Sequence, residues 1–309
     1  MGAQPRDLKP ATIVTPAFGQ RPLVLWTQIH SEEAIVDLRH GETQKSHGYA
    51  PVNGLRMYYE IEGAGDPLVF IPPAFGFAGQ KSFPELVRGH TVITVDLQGN
   101  GRTADIPDRP ISIEQYAKDV VGLLKYLGIA RADFFGESYG GCTAVMIALR
   151  YPEVAGRVAS YGGTFGPPQV ALNPQTTRFD QPPAADSIYI QFQRDSYRQV
   201  APDPDYWPRI YAKVGSIQWE GFTKAELASI KAPILIVSGD HDFVDLGHAV
   251  DTFTLLSNAE LAVIPDASHF ALSSEPDKVI PVVKRFLEQP GQRLPLATAR
   301  TGFRPGETR

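Results

Sequence analysis

The sequence predicts an α/β protein with a mostly parallel central sheet, helices on both faces and an inserted helical lid. Short, almost wholly apolar runs such as residues 68–71 and 91–95 are typical of strands that are buried on both faces. They alternate with segments of helical periodicity, and this alternation is typical of a parallel sheet. Residues 164–229 interrupt the alternation. They are more polar and rich in Pro, Gln, Tyr and Trp, and a long insertion of this kind usually has a function.

The predicted elements follow one another in regular order between residues 51 and 288. The dipeptide Asn53-Gly54 favours a turn before the first strand. Helix 113–127 has its apolar residues on one face, Ser112 and Gln115 as a capping box, and Gly128 at its end. The other predicted strands and helices are, in order, strands 55–61, 68–71, 91–95 and 132–135, helix 138–150, strands 234–238 and 261–264, and helix 276–287.

Four segments are expected. Residues 1–50 have no sustained period and are predicted to be an N-terminal extension, partly ordered at best. Residues 51–163 and 230–288 form the predicted core, with residues 164–229 inserted between them. Residues 289–309 are rich in Pro, Gly and Arg and contain few large apolar groups, so we expect a flexible C-terminal tail.

Composition excludes several classes of protein. The chain has 309 residues, a formal net charge of −5 and no cluster of Lys and Arg, which argues against a nucleic-acid partner. No apolar run approaches the roughly 20 residues of a membrane span, so no membrane partner is expected. The one cysteine, Cys142, precludes a disulfide within the chain. With no secretory signal at the N-terminus, a cytoplasmic protein is the default expectation.

The strongest chemical signal is Gly136-Glu137-Ser138-Tyr139-Gly140, which lies between a predicted strand and a predicted helix. A serine at such a sharp turn needs glycines on both sides, because strand and helix then pack closely and the hydroxyl stands exposed above the sheet. The following N–H, that of Tyr139, lies at a helix N-terminus, where developing negative charge is stabilised. The pattern predicts Ser138 as a nucleophile.

His269 is the expected general base. It follows the strand at residues 261–264 by one short turn and therefore lies at the carboxyl edge of the sheet, where sites form in open α/β sheets. An isolated loop histidine is more often just solvated, but the serine turn upstream favours the catalytic role. His241, in the loop after strand 234–238, and His248, on a predicted helix, fit this role less well.

Three further segments match a known family by position. They are D-L-Q-G-N-G-R-T at residues 96–103, S-G-D-H-D at 238–242 and D-A-S-H-F at 266–270. With the serine turn, they make residues 50–165 and 229–288 resemble the α/β-hydrolase superfamily, in its soluble bacterial esterase, lactonase and perhydrolase branch. The resemblance implies the α/β-hydrolase fold, and the chain order Ser, Asp, His is the order of that fold.

The sequence leaves several candidates for the acidic partner of His269. Asp240, Asp242 and Asp245 all follow the strand at 234–238. The resemblance implies Asp242, with Asp240 holding the loop by accepting backbone N–H groups. Asp266 is expected to be a turn residue.

The expected oxyanion hole departs from the family pattern. Many relatives have His-Gly where this chain has Pro72-Pro73, and proline has no N–H to donate. The position that matches the usual donor is Ala74, so the resemblance implies the N–H groups of Ala74 and Tyr139. Phe75 follows in the same loop.

These residues together predict a serine hydrolase that forms an acyl-enzyme from a small-molecule ester or lactone, with no cofactor and no metal. Phe75, Tyr189, Trp207 and Trp219 are the expected substrate contacts. A perhydrolase or haloperoxidase-like reaction and cleavage of an amide or C–C bond stay open, as does a non-catalytic binding protein on the same fold. A serine at this turn argues against epoxide hydrolases, which carry aspartate there. The sequence leaves the oligomeric state open.

Overall fold

The computed structural model describes residues 45–175 and 187–289. Eight strands form one sheet in the order β1-β2-β4-β3-β5-β6-β7-β8, in which β1, β2 and β4 pair antiparallel and all other neighbours pair parallel. The predicted mostly parallel sheet is confirmed. The strands are β1 Lys45–Val52, β2 Leu55–Gly63, β3 Asp66–Ile71, β4 His90–Val95, β5 Ala132–Glu137, β6 Ala155–Tyr161, β7 Ile234–Gly239 and β8 Ala259–Ile264.

Helices cover both faces of the sheet, as expected. Alternate residues along a strand point to opposite faces, so Val69 and Ile71 belong to one core while Leu68 and Phe70 belong to the other. The first core packs against α2 and α3, and the second against α1, α9 and α10. The helices are α1 Pro84–Val87, α2 Ile113–Tyr126, α3 Tyr139–Arg150, α4 Pro168–Ala171, α5 Ile188–Val200, α6 Trp207–Gly215, α7 Lys224–Ser229, α8 Leu246–Leu255, α9 Ala271–Ser274 and α10 Pro276–Glu288.

The N-terminal boundary differs from the prediction. Lys45–Val52 is a strand that pairs along its whole length with β2, although residues up to 50 were expected to belong to the extension. The hairpin turns at Asn53 and Gly54, whose φ angles are both positive, as a tight two-residue turn requires. The rest of the expected extension, residues 1–44, and residues 290–309 of the expected tail lie outside the described residues.

The insertion between β6 and β7 carries helices α4 to α7 and is joined to the core by polar contacts. The Lys213 ammonium donates to the Asp105 carboxylate at 2.8 Å and to the Ile106 carbonyl at 2.7 Å. Gly99 leaves room for Ile210, since a methyl group on Gly99 would lie 2.2 Å from the Ile210 Cδ1. Helix α6 is therefore fitted closely to the loop that follows β4. Among the described residues, no helix is both long and apolar enough to cross a membrane.

Candidate active site

Ser138 occupies a strained turn between β5 and α3. Its φ of 55° lies in the left-handed region, which costs a non-glycine residue about 1 kcal/mol or more. The flanking residues must be glycines because there is no room for a side chain at either position. A methyl group on Gly136 would lie 2.1 Å from the Gly140 carbonyl oxygen, and one on Gly140 would lie 2.0 Å from that of Ile71. The half-buried serine is thus held at the carboxyl edge of the sheet.

His269 and Asp242 form a hydrogen-bonded pair at the same edge. The His269 Nδ1 lies 2.9 Å from the Asp242 Oδ1, and both side chains are buried. The same carboxylate oxygen accepts the Val244 N–H at 2.9 Å, which fixes its orientation. The Phe243 ring covers the imidazole at 4.0 Å between centroids. A carboxylate on Nδ1 orients the ring so that Nε2 is available as a base.

The other aspartates of this region have structural partners. Asp240 accepts the Ala267 N–H, and backbone hydrogen bonds hold the pKa of its carboxyl below the ordinary value. Asp245 caps helix α8 by accepting the His248 N–H. Asp266, a turn residue with φ of 50°, contacts Lys278 on the surface. The structure thus places Asp242, among the alternatives, against His269.

Backbone contacts bring the serine turn and the histidine loop together. The Ser138 N–H donates to the Tyr161 carbonyl at 2.8 Å, and the next residue, Gly162, lies against the His269 ring. A methyl group on Gly162 would come within 2.8 Å of the imidazole Nδ1 and Cε1 and 3.3 Å of the Asp242 Oδ2. The Tyr161 hydroxyl also donates to the Ser268 carbonyl at 2.5 Å. The end of β6 therefore joins Ser138 to His269.

The loop after β3 lies beside the serine turn. A methyl group on Gly140 would also be 2.6 Å from the Pro72 carbonyl oxygen, so this loop begins in contact with the start of α3. Neither the Ala74 N–H nor the Tyr139 N–H donates a hydrogen bond to any residue that the structure describes. Phe75 has φ of 62°, and its N–H donates to the Asn100 side chain at 2.8 Å. The loop after β3 and the first residue of α3 thus each carry an N–H without a partner in the described part of the chain.

A buried ion pair adjoins the nucleophile. The Lys81 ammonium donates to the carboxylate of Glu137, the residue before Ser138, and their side chains are 10% and 3% exposed. Burial lowers the pKa of Lys81, while Glu137 opposes that effect.

The four expected substrate contacts differ in accessibility. Phe75 and Trp207 are buried against each other, with ring centroids 4.9 Å apart. Trp219 is buried, packs on Phe222 and donates its indole N–H to the Thr164 carbonyl at 2.8 Å. Tyr189 is 43% exposed and packs on Phe270, the residue after His269. Of the four, Tyr189 is the one with an open face next to the histidine loop.

Two other reactive side chains lie in packed surroundings. Cys142 is fully buried, and burial raises the pKa of its thiol to about 11, so it is not an activated nucleophile. His248 accepts the Phe165 N–H at 3.0 Å on its Nε2, so this nitrogen is already engaged by the backbone.

A model of the alpha/beta hydrolase family matches residues 68–282. The chain belongs to this family. It is 27% identical over 264 residues to the 2-hydroxy-6-oxononadienedioate/2-hydroxy-6-oxononatrienedioate hydrolase of Burkholderia vietnamiensis, covering 76% of this chain and 92% of that protein. It is 29% identical over 195 residues to the bifunctional epoxide hydrolase 2 of Sus scrofa, covering 60% of this chain but only 35% of that protein's length.

The solved structure of the enol-lactonase from Burkholderia xenovorans has the same fold, with a TM-score of 0.62 and 24% identity over 78% of this chain and all of that chain. This α/β-hydrolase is therefore a member of a family of hydrolytic enzymes.

Sequence reasoning missed three features of this α/β-hydrolase site. Gly162 follows a strand, β6, that was not recognised, although the pair Gly162-Gly163 was a usable turn signal. The pairing of Lys81 with Glu137 joins residues 56 positions apart and had no local signal. Asn100 was noted only as part of a family motif, and its bond to Phe75 depends on the packing of two loops.

Proposed function

We propose that this α/β-hydrolase is a serine hydrolase that cleaves carboxylic esters, including lactones, through an acyl-enzyme on Ser138. One observation carries the proposal. The buried His269–Asp242 pair lies against Gly162, directly beside the strand end that holds the Ser138 backbone. A nucleophile, an oriented base and two free N–H donors at one edge of a sheet are the parts that acyl transfer needs.

The proposed reaction has two halves. The His269 Nε2 takes the Ser138 proton while the Oγ bonds to the substrate carbonyl carbon, and the Ala74 and Tyr139 N–H groups stabilise the oxyanion. The ester C–O bond then breaks, and His269 gives the proton to the leaving alcohol. Water attacks the acyl-enzyme with His269 again as base. The acid leaves and Ser138 regains its proton, so atoms and charge balance.

The substrate proposed for this site is a small to medium acyl or aryl ester. Tyr189 and Phe270 offer exposed ring surface beside His269, and Phe192 on the same helix as Tyr189 is 62% exposed. Apolar walls with few polar groups are typical of small-molecule sites. The likeness to an enol-lactonase supports the inclusion of cyclic esters. Helices α5 and α6 would then act as a lid over the bound acyl group.

A second candidate is hydrolysis of a carbon–carbon bond beside a ketone. The relative from Burkholderia vietnamiensis, matched over 92% of its length, is named a hydrolase of 6-oxo acids. Hydrolysis at such a ketone carbon would use the same oxyanion donors and the same base. The two candidates differ in the leaving group, which is an alcohol in one and a carbon acid in the other.

One set of assays separates these candidates. Purified protein is given p-nitrophenyl esters of graded chain length, an enol-lactone and a 2-hydroxy-6-oxo-dienoate, and kcat/KM is compared. We expect the esters to be favoured and Ser138→Ala to lose at least about 1000-fold. Ser273→Ala, at an exposed serine on α9, is the matched control and should retain full activity. Preference for the dienoate would select the second candidate, and no turnover of any substrate would favour a binding protein.

A further inference from the structure

Asn100 lies under the loop that carries Ala74, and its side chain is fully engaged. It is 1% exposed. Its Oδ1 accepts the Phe75 N–H at 2.8 Å, while its Nδ2 donates to the Gln98 carbonyl at 3.2 Å and to the Tyr116 hydroxyl at 3.3 Å. The amide orientation is fixed because its oxygen faces a donor and its nitrogen faces two oxygens. Asn100 is therefore a rigid acceptor for one backbone N–H.

That N–H belongs to a residue in an unfavourable conformation. Gly76 N–H donates to the Pro73 carbonyl at 2.9 Å, which closes a four-residue turn with Ala74 and Phe75 at its centre. Phe75 has φ of 62° at the third position of this turn, where glycine is normally needed. A bulky residue holds this geometry only when its surroundings impose it.

Two contacts hold Phe75 in this conformation. The Phe75 ring is held by the Trp207 and Tyr211 rings of α6, at 4.9 Å and 6.0 Å between centroids. The Phe75 N–H is held by Asn100. Because one rigid peptide joins Ala74 to Phe75, fixing the direction of the Phe75 N–H also fixes the orientation of this peptide.

We propose that Asn100 is a positioning residue for the oxyanion hole. By accepting the Phe75 N–H, it holds the Ala74–Phe75 peptide and so keeps the turn at Ala74 and Phe75 closed. The bond that closes this turn, from the Gly76 N–H to the Pro73 carbonyl, orients the Pro73–Ala74 peptide, so that the Ala74 N–H stays directed to the Ser138 side of the loop. This role rests on the proposed serine hydrolase function. It also gives residues 96–103 a part in the reaction. Asp96 of the same segment accepts the Ala78 N–H at 2.5 Å and thus holds the other end of the Ala74 loop.

The test replaces the acceptor and compares kcat with KM on a p-nitrophenyl ester. Misplacing a catalytic donor by about 1 Å costs on the order of 100-fold, so we expect Asn100→Leu to lower kcat about 100-fold. KM should change less than about threefold, because the oxyanion forms only after binding. Affinity for a trifluoromethyl ketone, which binds as a tetrahedral adduct, should fall by the same factor as kcat/KM.

Two variants distinguish positioning from a general loss of packing. Tyr116→Phe removes the hydroxyl at the other end of the same amide and leaves the Phe75 N–H bond intact, so kcat should stay within about threefold of wild type. Asn100→Asp keeps an acceptor oxygen and should recover at least about tenfold in kcat over Asn100→Leu. If Asn100→Leu does not fold, Asn100→Ser takes its place, because the shorter serine side chain cannot reach the Phe75 N–H, and the same loss of kcat is expected.

Three results would overturn the proposal: a folded Asn100→Leu with wild-type kcat, an equal loss in Tyr116→Phe, or a loss seen in KM alone. The same assays show separately whether the proposed serine hydrolase function fails. If wild-type activity does not depend on Ser138, the serine mechanism fails first. If it does depend on Ser138 while Asn100→Leu is fully active, only the role of Asn100 fails.

Discussion

The imidazole of His269 packs directly on the α-carbon of Gly162, with no room for even a methyl group between them. Gly162 follows Tyr161, whose carbonyl holds the Ser138 N–H. The nucleophile loop and the base loop are thus linked through a single backbone segment. The distance between them is therefore sensitive to the size of residue 162.

Gly162→Ala should lower kcat by about 100-fold, because it pushes the imidazole away from Ser138. The variant is measured by steady-state ester hydrolysis with urea unfolding alongside. Gly54→Ala is the matched control, since Gly54 also has positive φ but its nearest side-chain atom would be 3.7 Å from the new methyl group. Both variants should lose about 1 kcal/mol of stability from backbone strain. Equal activity of the two would contradict the role of this contact.

Asp242→Asn should lower kcat by roughly 1000- to 10,000-fold, because the amide cannot hold the His269 tautomer that exposes a basic Nε2. Asp240→Asn should stay within about fivefold of wild type, since its side chain supports the loop from the surface. Steady-state kinetics of the two variants on one ester provide the measurement. The reverse ranking would assign the acid to Asp240.

Stability should fall at mildly acidic pH because of His248. Burial lowers the pKa of this histidine from its ordinary value of 6.5, although Asp245 and Asp251 oppose that effect. Its Nε2 also accepts the Phe165 N–H and must be unprotonated to do so. The unfolded chain therefore binds a proton more tightly than the folded chain. The contribution of neutral His248 to the free energy of unfolding is therefore fully present above about pH 6.5. It is lost as the pH falls below that value, by at most about 1.4 kcal/mol per pH unit.

Urea unfolding at several pH values between 7.5 and 5.5 checks this expectation. His248→Gln keeps an acceptor for the Phe165 N–H but cannot titrate, so its free energy of unfolding should fall less steeply over this interval. Parallel curves for wild type and variant would show that His248 is not the source.

Glu137→Gln should destabilise the protein by about 3 to 5 kcal/mol, because it leaves the buried Lys81 ammonium without its counter-charge. The double variant Lys81→Met with Glu137→Gln should recover most of this loss, since no buried charge is left unpaired. A double-mutant cycle in urea measures the coupling between the two side chains. Additive losses would mean that the two charges do not stabilise each other.

Local pattern predicts much of the fold and the main site residues. The strand, tight turn and helix around Ser138 lie within about 20 consecutive residues, and the structure shows the positive φ that this turn implies. The choice among Asp240, Asp242 and Asp245 could not be made from the residues, because all three follow one strand and only side-chain direction separates them. The resemblance implied Asp242, and the structure places that carboxylate on His269.

Features that depend on contacts between distant parts of the chain could not be predicted from the sequence. Strand β1 was missed because His47, Gly48 and Pro51 obscure its alternation, which makes sense only when it is paired with β2. Gly162 and Asn100 acquire their roles from neighbours 107 and 25 positions away. Trp207 and Trp219 are of a residue type that often lines binding pockets. Whether they are exposed or buried depends on how the insertion packs.

Covalent labelling shows whether Ser138 is the nucleophile and His269 its base. The protein is treated with a fluorophosphonate probe and digested, and the modified residue is located by mass spectrometry. We expect one adduct, on Ser138, that is absent from Ser138→Ala, unchanged in Ser273→Ala and formed far more slowly in His269→Ala. Labelling that persists in Ser138→Ala, or that proceeds at the wild-type rate without His269, would contradict these roles.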